Sequence, residues 1–126
     1  MVPFDPNDPN LDPECKALCV ALNRLPGIVT SESCCGHGKS PVRIWFRVTE
    51  FSACGLRIIA RVSCHRYGGY GWHVELSHGD HPESSLGLLL EKDLDTGCEP
   101  EELARRIDRL LDDPGEGERK FLSIPV

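Results

Sequence analysis

The stretch Val42-Arg43-Ile44-Trp45-Phe46-Arg47-Val48-Thr49 alternates Val, Ile, Phe and Val with Arg, Trp, Arg and Thr. A period of two is the spacing by which an extended chain sends one row of side chains into a core and the other to the opposite face. The segment therefore reads as a strand with Val42, Ile44, Phe46 and Val48 inward and Arg43, Trp45 and Arg47 on its second face. Just upstream, the β-branched run Ile28-Val29-Thr30-Ser31 reads as a shorter strand. Between the two lies Ser31-Glu32-Ser33-Cys34-Cys35-Gly36-His37-Gly38-Lys39-Ser40, which gathers thiols, an imidazole and hydroxyls around two glycines. A hairpin is expected, with a connection longer than the usual two to five residues and loaded with reactive groups.

Outward from the hairpin, Asp12-Pro13-Glu14 offers an N-cap, a first-turn proline and a first-turn acid. Cys15, Leu18, Cys19 and Leu22 follow at i, i+3, i+4 and i+7, so a helix is predicted over about 13–24, closed by Leu25-Pro26-Gly27. Residues 1–12 carry three prolines and three aspartates, with a fourth proline at 13, a composition expected to give an extended or disordered arm. On the other side, Leu56 to Arg66 fits both a strand and a helix period. The glycine stop at Tyr67-Gly68-Gly69 and the need for a connection favour a helix. Trp72-His73-Val74-Glu75-Leu76 and Leu86 to Glu91 read as strands around a polar turn. Pro100-Glu101-Glu102 opens a last helix with Leu103, Ile107, Leu110 and Leu111 on its apolar stripe. The expected fold is α+β: a two-layer sandwich of a four-stranded mixed or antiparallel sheet and about three helices in the order α-ββ-α-ββ-α, with 13–126 as a single domain.

The chain has 126 residues and a formal net charge of −6, enough length for one modest core. Residues 14–72 hold eight bases against three acids, and 73–126 hold six against fourteen. The loaded loop thus sits in a basic segment suited to phosphate, while the acidic remainder argues against broad non-specific nucleic-acid binding. No apolar run approaches the roughly 20 residues of a membrane span, and Met1-Val2-Pro3-Phe4-Asp5 has no basic and apolar signal pattern. A cytoplasmic protein without membrane association is expected. The seven cysteines are then read as free thiols, with Cys15, Cys19 and Cys54 in core positions.

Three chemistries fit the remaining residues. Cys34-x-x-His37 and His78-x-x-His81 have spacings at which two tight turns could grip one zinc ion. Alternatively, Cys34 or Cys35 is a reactive thiol activated by His37, which makes these three the candidate catalytic residues. The third reading is binding: Ser33, Gly36 and Gly38 in the loop, Arg43 and Arg47 on the strand, and Trp72 and His73 on the neighbouring hairpin combine cations with aromatics. That combination suits a nucleotide or RNA.

The pattern P-x-C-x-x-L-C-x-A-L-N-x-L-P-G-I-x-T-x-x-S-C-C-G-H-G, running from Pro13 to Gly38, is followed by Arg43-Ile44-Trp45-Phe46. It resembles a family of small bacterial and phage proteins built around this S-C-C-G-H-G loop. Thr30 to Gly36 is also faintly similar to the T-S-S-C-S-G loop of the wybutosine-synthesis tRNA methyltransferase family, with Cys35 in place of a serine and His37 in place of an arginine. That second resemblance implies S-adenosylmethionine-dependent methylation of a modified guanosine in tRNA. The function expected from the sequence is a Cys/His loop site over Ser33–His37 that binds a nucleotide or RNA and acts in nucleic-acid modification. The alternative is a zinc-stabilised interaction module without catalysis.

Overall fold

The computed structural model describes residues 5–36, 40–49, 53–63, 70–77, 86–94, 96–113, 115 and 119. Seven elements follow one another as α1 (Pro13–Arg24), β1 (Ile28–Cys34), β2 (Arg43–Val48), α2 (Ala53–Ser63), β3 (Trp72–Leu76), β4 (Leu86–Lys92) and α3 (Pro100–Asp112). The strands form one sheet in the order β1-β2-β4-β3, antiparallel throughout. The α+β architecture and its element order are those expected, and residues 56–63 of the segment that fitted both periods are helical. Two hairpins, β1–β2 and β3–β4, are therefore joined side by side through β2 and β4.

The core lies on one face of this sheet. Ile28, Ile44, Phe46, Val48, Leu88, Leu90 and Trp72 form a single buried cluster with Leu18 and Leu22 of α1, Ile58 and Val62 of α2, and Leu103 and Ile107 of α3. Burying each large aliphatic chain contributes about 1.5–3 kcal/mol. The alternation read from Val42 to Thr49 holds: Ile44, Phe46 and Val48 are buried, while Arg43, Trp45 and Arg47 keep part of their surface on the second face.

β1 runs three residues further than the sequence suggests, to Cys34, and it carries a bulge. Thr30 faces Phe46 and Glu32 faces Trp45, so Ser31 is the extra residue, and its hydroxyl donates to the Trp45 carbonyl at 3.2 Å. The inserted residue reverses the pleat for everything after it. Thr30 is a buried polar residue of the core. Asn23 satisfies it, donating from Nδ2 to Oγ1 at 2.7 Å and accepting from the Thr30 amide at 3.1 Å. The same Nδ2 donates to the Cys19 carbonyl at 2.7 Å, which locks the end of α1 to the strand.

Residues 5–11, expected as part of an extended or disordered arm, form two consecutive turns. Asp5 and Asp8 each accept from the amide two residues on, at 2.9 Å, which is how aspartate stabilises a turn. Asp12 stands at the N-cap of α1 without capping it. Its Oδ2 instead accepts from the Cys35 amide at 2.9 Å and fixes the end of β1 against the start of the helix.

Candidate functional site

The register places Cys34, Arg43, Glu91 and His73 in one row across all four strands. Directly opposed residues of antiparallel strands project on the same side, and this row lies on the face away from the core. Next to it runs a second row of Glu32, Trp45, Leu89 and Glu75. One carboxylate from each row, Glu91 and Glu75, and Asp93 just past β4 converge on His73. Its Nδ1 lies 2.6 Å from Asp93 Oδ1, and its Nε2 lies 3.1 Å from both Glu75 Oε1 and Glu91 Oε1. Glu91 reaches back with its other oxygen to Arg43 Nε at 2.5 Å. The hydrogen bond to Asp93, joined by the neighbouring Glu75 and Glu91 carboxylates, holds the His73 imidazole above its ordinary range, against the opposing pull of desolvation.

Asp93 owes its position to a tight backbone junction. The Asp93 amide donates to the Gly71 carbonyl at 2.7 Å, and the Cys98 amide to the Tyr70 carbonyl at 2.8 Å. Gly71 has φ of 75°, and a Cβ there would come 2.1 Å from the Thr96 carbonyl oxygen. Only glycine fits such a place.

Among the described residues, the loop positions singled out in the sequence point to different places. Cys34 lies in the outer row, where its Sγ accepts from the Gly36 amide at 3.4 Å. Cys35, the very next residue, packs against the core and lines a cleft of about 490 Å³ shared with Glu14, Val42, Lys92 and Pro100. The two sulfurs therefore diverge, so Cys34 and Cys35 do not present their thiols together. Ser33 faces inward opposite Ile44. Gly36 is buried with φ of 79°.

Trp72, expected at the ligand face, is fully buried and donates from Nε1 to the Cys98 carbonyl at 2.9 Å; it is a core residue. Cys34 and His73 stand on opposite edge strands, three strand spacings or about 14 Å apart, so they do not act together. His37, Gly38, His78 and His81 lie outside the described residues, and with them most of the expected zinc set. No family model, curated protein or solved structure matches the chain.

In the sequence His73 and Arg43 stand out without their partners. Glu75, Glu91 and Asp93 went unremarked. One signal was available, since His73-x-Glu75 on a strand puts both side chains on one face. Glu91 and Arg43 are 48 positions apart, and their meeting depends on a strand pairing that no local pattern encodes.

Proposed function

We propose that this chain is a binding domain that receives a nucleotide or a short single-stranded segment of RNA on the outer face of its sheet. The observation that carries this reading is Trp45, partly exposed and placed between Arg43 and Arg47 on the face turned away from the core. An indole on a flat sheet offers a stacking platform for a base, and a flanking guanidinium offers a contact for phosphate. Arg43 is engaged by Glu91, whereas Arg47 makes no ion pair among the described residues, so Arg47 is assigned the phosphate. The loop's similarity to wybutosine-synthesis methyltransferases supports including tRNA among the probes.

The test is a fluorescence titration of the full chain with a nucleoside triphosphate, oligouridylate and tRNA at low and moderate salt. Saturable binding that weakens with salt is expected, and Trp45→Ala should weaken it about 5-fold to 100-fold, in keeping with the worth of one stacked base. Absence of saturable binding, or affinities indifferent to Trp45→Ala and Arg47→Ala, would remove the reading.

A further inference from the structure

We infer that His73, Glu75 and Glu91 form a binding site for a divalent first-row transition-metal ion, oriented by Asp93 and bounded by Arg43. The inference does not rest on nucleotide binding and is tested without any nucleic acid.

Three observations converge. One ligand atom from each of His73, Glu75 and Glu91 lies within 4.8 Å of the others. The Nε2-to-oxygen separations are 3.1 Å to both glutamates, matching the edges of about 3.0–3.4 Å between donors that each sit about 2.1 Å from a common ion. Second, the other ring nitrogen is already committed. Asp93 Oδ1 at 2.6 Å accepts from Nδ1–H, so Nε2 is the nitrogen turned toward Glu75 and Glu91 and becomes the lone-pair donor when the metal displaces its proton. A carboxylate on Nδ1 is the usual outer partner of a metal-bound histidine. Third, the charges balance. With a neutral imidazole, the carboxylates of Glu75, Glu91 and Asp93 exceed the single guanidinium of Arg43 by two negative charges, the deficit that a divalent cation fills. Arg43 meets Glu91 through Oε2 while His73 faces Oε1, so the guanidinium orients the carboxylate without blocking its ligating oxygen.

The mixed nitrogen and oxygen donor set favours zinc, manganese or cobalt over calcium or magnesium, which prefer oxygen alone. Glu75 is well exposed, so the site opens to solvent, and water completes the coordination shell.

The test is titration of the chelator-treated full chain with cobalt(II) by absorption spectroscopy, followed by zinc competition. One equivalent is expected to bind, with ligand-field bands but without the near-ultraviolet bands of thiolate-to-cobalt charge transfer. Glu75→Gln should weaken binding at least about tenfold, and Asp93→Asn about 10-fold to 100-fold through the second ring nitrogen. Circular dichroism of each variant confirms that the fold is kept; where Asp93→Asn fails that check, Glu75→Gln at the exposed position decides. Absence of binding overturns the assignment. So does binding indifferent to Glu75→Gln and His73→Gln, including binding with strong thiolate bands, which would put the metal on cysteines instead.

Discussion

One inserted residue, Ser31, decides what the adjacent cysteines can do. Without the bulge the pleat would turn Cys34 toward the core; with it, Cys34 joins the outer row and Cys35 drops against α1. The remaining described thiols follow from burial. Desolvation pushes Cys15 up to about 12 and Cys19 up to about 11, so neither yields appreciable thiolate near neutrality. A pulse of iodoacetamide on the native protein, followed by peptide mass spectrometry, should label Cys34 and leave Cys15 and Cys19 unmodified until the chain is unfolded in urea. Labelling of Cys15 at the rate of Cys34 would contradict the packing described here. The fates of Cys15 and Cys19 were readable beforehand, because both fall on the apolar stripe of a helix with clear spacing. That of Cys34 was not, since a bulge leaves no mark in a run as short as Ile28-Val29-Thr30-Ser31-Glu32-Ser33-Cys34.

Helices α1 and α3 lie side by side, with Glu14 and Glu101 of their first turns on one cleft and their last turns joined by Arg24, which meets Asp108 and Asp112. Both partners are exposed, so solvent and salt screen the attraction. The Asp112 carboxyl is nonetheless held below its ordinary 3.8 by the Arg24 hydrogen bond. A depressed carboxylate stabilises the fold fully above its unfolded value and loses that contribution as pH falls through the folded value. The difference in melting temperature between the parent chain and Arg24→Gln should therefore be present at neutral pH, shrink toward zero as pH drops below about 4, and diminish with added salt. A difference that grows in acid would mean that Arg24 acts in some other way. These helices, like every strand, were legible from apolar spacing, capping residues and prolines. Their partners across the sheet were not: joining β2 to β4 brings Arg43 to Glu91 and so builds the His73 cluster, and the pairing is specified by the packed core as a whole.

That dependence on one shared core bears on how the molecule comes apart. A hairpin alone is marginal in water, and here the two hairpins share a single buried cluster to which all three helices contribute. Among the described residues neither half has a core of its own, so the chain should unfold as one cooperative unit, as small single domains do. Its two tryptophans sit on opposite sides of the sheet: Trp72 is buried in the core, and Trp45 is partly exposed on the outer face. Urea transitions followed by far-ultraviolet circular dichroism and by tryptophan fluorescence should superimpose. Ile107→Ala, which empties a wholly buried position of α3, should lower the stability read by both probes equally, by about 2–5 kcal/mol. If the circular dichroism midpoint moved while the fluorescence midpoint stayed, α3 would be a separate cooperative unit docked on an independently stable sheet. The outer-face site would then owe its geometry to the strands alone.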